Sequence, residues 1–167
     1  LDRKRDIREL HIIKYCLENK KPLLLICRGH QLMGVYKNLH LIKDINSVEI
    51  CHSPGAAKIN NDDLPSHFLY VLREHQKEFF EKDYVQSAHH QALYFSEKSL
   101  QHYKDNNVEV LGYAHLNYDA NKTKETKIIE LMRGINESWI SCQWHPEIRP
   151  QDSANKIVLD NFKKMIE

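Results

Sequence analysis

The 167-residue sequence predicts an α/β domain. Three observations carry this. Strand-like and helix-like segments alternate along the chain, as in layered α/β proteins. An unbroken apolar stretch, Leu23-Leu24-Leu25-Ile26, has strand length and the all-apolar character of a strand covered on both faces, the kind found in parallel sheets. The composition is that of an ordinary globular chain, with 41% hydrophobic and 28% charged residues. The length suits one domain, 1–167, with a single core. No repeat, low-complexity tract or Gly/Ser linker marks a boundary.

Taken in order, positions 2–19 read as an amphipathic helix with Leu10, Ile13 and Leu17 on one stripe. Pro22 disfavours helix at Lys21 and ends it. The buried strand 23–26 follows, then Gly29, then a second helix from about Gln31 to Lys37. Leu41 to Ile45 is a candidate strand, Ser53-Pro54-Gly55 a turn, and Leu69 to Phe80 a helix. Tyr84 to Ser87 reads as a short strand leading into His89-His90-Gln91. Glu97 to Tyr103 is helical and Val108 to His115 a strand, with a polar turn at 117–123. Lys127 to Met132 and Trp139 to Gln143 are strands. Ser153 is placed to cap a last helix that carries Val158, Phe162 and Met165 inward.

Composition also excludes classes. With 24 basic and 23 acidic side chains the formal net charge is +1, too even for a broad nucleic-acid or anionic-membrane footprint. No apolar run approaches the roughly 18–20 residues of a membrane span. The cysteines Cys16, Cys27, Cys51 and Cys142 are far apart and form no CxxC pair. They read as reduced thiols of a cytoplasmic protein rather than a disulfide framework. The chain opens at Leu1 instead of Met and is read as part of a longer polypeptide, which leaves a removed targeting segment open.

Two positions stand out chemically. Cys27 ends the buried strand and precedes a glycine and a helix, the layout of a nucleophile elbow. Such a turn lifts the side chain into the crevice at the carboxyl end of the sheet. It also sets the thiol at a helix N-terminus, where free N–H groups and a neighbouring imidazolium lower a thiol pKa. The competing reading is a buried structural cysteine. His145 lies in Gln143-Trp144-His145-Pro146-Glu147, directly after a strand. Pro146 stiffens the loop, and Glu147 is placed to hold the imidazole tautomer. Against this, His145 is one of eleven histidines and would serve equally as a loop residue.

Three blocks together carry a resemblance: Cys27-Arg28-Gly29-His30-Gln31, Ser87-Ala88-His89-His90-Gln91, and Gln143-Trp144-His145-Pro146-Glu147. In this order they resemble class I glutamine amidotransferases, and more narrowly the gamma-glutamyl-gamma-aminobutyrate hydrolase branch. The opening helix, with Arg5-Asp6 and Glu9, is similar as well, whereas Leu41 to Asp83 matches poorly. The resemblance implies a three-layer α/β/α, flavodoxin-like domain with a mostly parallel sheet, its N-terminal strand and helix lying before this segment.

It implies a C–N hydrolase in which Cys27 attacks the gamma carbonyl of a glutamine or gamma-glutamyl group. His145 would move protons, Glu147 would orient His145, and the Arg28 backbone N–H would be one oxyanion donor. Gln31, Ser87, His89, His90 and Gln91 would line the glutamyl pocket. It implies no metal and no cofactor; adjacent His89 and His90 seldom point at one ion. The expected partner is a small gamma-glutamyl molecule, with a second copy of the chain or a synthetase as further partners. A glutaminase module delivering ammonia to a synthetase, and a non-catalytic relative binding a ligand or protein, are the alternatives. The sequence departs from the family at Leu25, where a glycine is usual two residues before the nucleophile, and at Gln86, where asparagine is usual.

Overall fold

The computed structural model describes residues 3–45, 66–86, 89–116 and 126–167. The segments Ser53-Pro54-Gly55 and 117–123, with Cys51 and Ser87, lie outside the described residues.

Helix α1 (Arg3–Glu18) leads into strand β1 (Leu23–Ile26) and helix α2 (Arg28–Tyr36). Then come β2 (Leu41–Ile42), β3 (Ser66–Val71), β4 (Lys82–Gln86), β5 (Ala92–Phe95), helix α3 (Leu100–Asp105), β6 (Val108–Leu116), β7 (Thr126–Gly134), β8 (Trp139–Cys142) and helix α4 (Ser153–Ile166). The sheet runs β1-β8-β7-β6-β3-β4, with β5 pairing β7 and β2 pairing β5.

Side-chain alternation in the strands sorts the core into two layers. On one face Leu23, Leu25, Ile129, Met132 and Trp139 pack with Ile13 of α1, Met33 of α2 and Tyr103 of α3. On the other, Leu24, Ile26, Leu131, Ile140 and Cys142 pack with Ala154 and Val158 of α4. This is the expected three-layer α/β arrangement; Ile129 and Leu131, two apart in β7, fall on opposite faces because the register between β6 and β7 shifts there.

The sheet itself departs from the expected mostly parallel form. Among the described residues β1 and β8 are the parallel pair, and the other pairings are antiparallel. The reason lies in the connections. Residues 135–138 join β7 to β8 with no room for the crossover helix that parallel neighbours need. β1 is also less enclosed than its sequence predicts: Leu25 is buried and the other three residues are half-buried. It ends the strand path, with only β8 beside it among the described residues.

Local expectations fared unevenly. The stretch expected as a helix over 69–80 is strand β3 followed by a single 3-10 turn, Arg73–His75. Phe68, Tyr70 and Val71 favour strand, and pairing with both β4 and β6 draws the start of the stretch into the sheet. Strand β5 was not anticipated. Asp152, not Ser153, is the N-cap residue of α4, and it makes no side-chain cap bond. The cap comes from across the fold: Asp83 Oδ2 of β4 accepts from the Ala154 N–H at 3.0 Å.

Candidate active site

Helix α2 begins at Arg28, three residues earlier than the sequence indicates, so Cys27 itself is the N-cap position between β1 and α2. Its backbone has φ 50° and ψ −103°, a sparsely populated conformation for a residue with a Cβ. Two main-chain bonds hold it: Cys27 N–H donates to the Cys142 carbonyl at 2.9 Å, and Gln31 N–H donates to the Cys27 carbonyl at 3.1 Å. The strand pairing and the first helical turn therefore over-determine the strained turn. That is the geometry of an elbow presenting its side chain at the end of a sheet.

Leu25 lies beside the first turn of α2: a Cβ on Gly29 would stand 3.4 Å from the Leu25 Cβ, an ordinary contact, so Leu25 does not require a glycine there. Arg28 ties α1 to the elbow by ion pairs, its guanidinium bonding Asp6 and also meeting Glu9 at 3.2 Å.

The thiol of Cys27 is half-buried, and burial pushes its pKa above the ordinary value; nearby Glu130 and Glu147 carboxylates push it further up. The Arg28 backbone N–H and the Gln143 side chain pull it down. The sequence-based expectation of a lowered thiol pKa is thus reversed, because desolvation outweighs the helix N-terminus. The thiol of Cys142, buried under α4 on the neighbouring strand, is pushed well above its ordinary value.

His145 sits three residues beyond the strand that pairs with β1. Its Nδ1 and Glu147 Oε1 are 2.7 Å apart, so the carboxylate accepts from Nδ1–H and leaves Nε2 as the basic atom. The loop is anchored on both sides. Trp144 Nε1–H donates to Asn155 Oδ1 of α4 at 2.7 Å, and Asn155 Nδ2 donates to the Arg149 carbonyl at 2.8 Å. Among the described residues no hydrogen bond joins Cys27 to His145; the side chain that meets the thiol is Gln143, with Nε2 at 3.6 Å from Sγ.

Gln31 and Gln91 line a cleft of about 250 Å³ with Asp6, Arg28 and Leu41. Gln31 Nε2 donates to the Gln91 carbonyl at 2.9 Å. His89 does not line that cleft: its side chain is buried, Nδ1 meets the Gln91 carbonyl at 2.9 Å, and Nε2 lies 3.8 Å from Glu130 Oε1. Burial lowers the His89 pKa. His90 is exposed and also lies outside the cleft lining. His30, never singled out in the sequence, is fully buried and staples α2 to the sheet. Its Nε2–H donates to the Ile129 carbonyl at 3.1 Å, and Nδ1 accepts from Ser141 Oγ at 3.0 Å. Burial lowers its pKa to about 4.

Sequence reasoning missed two residues at the floor of the site. Gln143 is fully buried beside the thiol. Glu130 is fully buried in β7, 3.1 Å from His67 Nε2. A carboxylate inside the apolar run Lys127 to Met132 was the available signal for Glu130. Among the described residues no cluster of His, Cys, Asp and Glu has the makings of a metal site, and no helix is long and apolar enough to cross a membrane.

Residues 1–147 match the family model described as Peptidase C26. A Lactococcus lactis protein described as glutamine amidotransferase-like, YvdE, is 31% identical over 146 residues, covering 86% of this chain and 53% of its own length. A gamma-glutamyl-CDP-amidate hydrolase of Campylobacter jejuni is 51% identical over 41 residues, 25% of this chain and 20% of that protein. The chain thus spans about half the length of the Lactococcus relative, and the Campylobacter match is confined to a short stretch of both proteins. Among solved structures, the glutaminase domain of a Trypanosoma brucei CTPS superposes with a TM-score of 0.61 at 11% identity, covering 98% of this chain and 68% of that one. A glutamine amidotransferase of Thermotoga maritima does so with a TM-score of 0.50 at 12% identity, covering 95% and 63%. At these identities the likeness is one of fold.

Proposed function

The chain belongs to the Peptidase C26 family, and we propose that the protein hydrolyses a gamma-glutamyl amide through a thioester on Cys27. The observation that carries this reading is the strained Cys27 turn at the helix N-terminus, with φ 50° and ψ −103°. Backbone strain of this kind persists only where the surrounding bonds enforce it, and it clusters at reactive residues.

The chemistry follows from the groups present. Because the thiol pKa is raised, Cys27 rests protonated, and its proton moves to His145 Nε2 as sulfur attacks the gamma carbonyl carbon. That transfer requires His145 and Cys27 to close up when substrate is seated, since catalytic bonds commonly tighten only in the complex. The carbonyl oxygen becomes an oxyanion and takes the Arg28 N–H, a donor of a type worth ~3–4 kcal/mol in the transition state. His145 returns the proton to the departing nitrogen, the C–N bond breaks, and a glutamyl thioester remains. Water then gives a proton to His145 and its oxygen to the thioester carbon, releasing glutamate and the thiol. Glu147, bonded to Nδ1, keeps Nε2 available and stabilises the imidazolium. Gln31 and Gln91, with Asp6 and Arg28, supply the polar lining of the cleft beside α2.

The named relative acting on a gamma-glutamyl-CDP-amidate favours substrates whose leaving nitrogen is carried by a larger group, over free glutamine. The test is glutamate release by the whole protein from a panel of gamma-glutamyl amides, with alkyl, amino-acid and nucleotide-linked amines, beside free glutamine. Release from a conjugate without added protein partners is expected. Activity on glutamine alone, and only with a synthetase present, would favour the ammonia-delivering reading instead.

A further inference from the structure

We propose that Gln143 is a catalytic residue, its side-chain N–H hydrogen-bonding the Cys27 sulfur and holding the thiolate as it forms; this rests on Cys27 being the nucleophile. An amide side chain offers an oxygen that only accepts and a nitrogen that only donates, and which of them faces a neighbour follows from the rest of its bonds.

Here the bonds run in one sense from a main-chain group. The Gln91 carbonyl only accepts, so Gln31 must turn its Nε2 toward it, at 2.9 Å. The same nitrogen has a second hydrogen and meets Gln143 Oε1 at 3.1 Å. Gln143 must therefore keep its oxygen toward Gln31. Its Nε2 is left facing Cys27 Sγ at 3.6 Å. Rotating either amide would set oxygen against oxygen or nitrogen against nitrogen. Gln143 is fully buried and Gln31 nearly so, so water does not readily replace these partners, and a lost donor in such a place is felt in full. The Gln143 backbone N–H is also committed, to the Glu130 carbonyl at 2.9 Å, which fixes the root of the side chain.

The thiolate needs this donor because its surroundings are adverse. Burial weighs most against the charged sulfur, and Glu130 in β7 and Glu147 in the loop after β8 add to it as negative charges. Cys142 of β8 is buried alongside. The favourable groups are the Arg28 N–H at the start of α2, Gln143, and His145 when it carries the proton. Gln143 alone among them is a side-chain donor already seated on the sulfur in the resting geometry. Gln31 acts through it, as a positioning residue.

The inference is tested on the whole protein by the pH dependence of Cys27 alkylation with iodoacetamide, read site by site by mass spectrometry. Gln143→Met keeps the side-chain length and removes the donor. Its Cys27 is expected to react roughly three- to tenfold more slowly at neutral pH, with the ionisation moved to higher pH. Gln31→Met, which frees the Gln143 amide to turn, should give a smaller change of the same sign. An NMR measurement on the wild-type protein removes any dependence on how the variants fold. The Gln143 side-chain 15N–1H signals should titrate together with Cys27, and Cys27→Ser should abolish that titration. Alkylation and ionisation unchanged in folded Gln143→Met, or Gln143 signals blind to Cys27, would overturn the proposal. Loss of the Cys27-nucleophile reading shows differently, as glutamate release that survives Cys27→Ala.

Discussion

Strands β1 and β8 run side by side, Ile26 opposite Cys142, and each brings a cysteine to the same end of the sheet. Cys142 remains in the strand, its side chain packed under α4 and its Sγ bonded to the Trp144 carbonyl at 3.6 Å. Cys27, one residue beyond its strand, leaves it at φ 50° and turns a half-buried thiol toward an N–H and an amide. Both thiols are pushed up by burial, Cys142 by more. On the proposed reading, what separates the two thiols is backbone conformation rather than residue type, because the strained turn gives the Cys27 sulfur a polar neighbour where Cys142 meets a hydrophobic wall.

The comparison is broken or upheld most forcefully by deleting each sulfur. Cys27→Ala should cut glutamate release by at least roughly 10³-fold. Cys142→Ala should leave it within about threefold and cost stability of about 1 kcal/mol. The reverse pattern would reverse the assignment.

Leu25 supports the Cys27 turn from below, against Gly29. Leu25→Gly is expected to cost ~2–5 kcal/mol in thermal or urea unfolding, the usual loss for a large buried side chain, with turnover nearly unchanged. A tenfold or larger rise in glutamate release, worth about 1.4 kcal/mol of barrier, would mean that Leu25 distorts the elbow instead of supporting it.

His30 ties the helix that follows Cys27 to Ser141, the residue before Cys142. Its folded pKa of about 4 lies below the ordinary 6.5, so the unfolded chain binds the extra proton first. Its contribution to stability is complete above about pH 6.5 and declines as pH falls towards 4, by about 3 kcal/mol across that window. Urea midpoints from pH 7 to 4.5 should fall in the wild type. The fall should be shallower in His30→Gln; equal slopes would remove His30 from the account.

The smallest effect concerns the base on the Cys142 side. Glu147→Gln keeps a group near Nδ1 but loses the charge, and kcat is expected to drop roughly 10- to 100-fold, with little change in thermal midpoint for so exposed a side chain. A kcat within twofold of wild type would assign tautomer control to another group.

The sequence alone was enough for the α/β class and for the order of β1, α2, β6, β7 and β8, because long apolar strands and a strand-glycine-helix junction are local signals. It also singled out Cys27, His145 and Glu147, and the structure places the last two in direct contact. Only the tertiary structure decided the mixed sheet, since strand direction depends on which segments become neighbours, and the helix expected over 69–80 gave way to pairing with β4 and β6. Only the fold could turn His89 inward towards Glu130 or bring Gln31, Gln91 and Gln143 into one directed chain of hydrogen bonds. The rise of the Cys27 pKa likewise belongs to the fold. Burial and the approach of Glu130 and Glu147 are long-range facts, whereas the helix N-terminus that argues the other way is legible from adjacent residues.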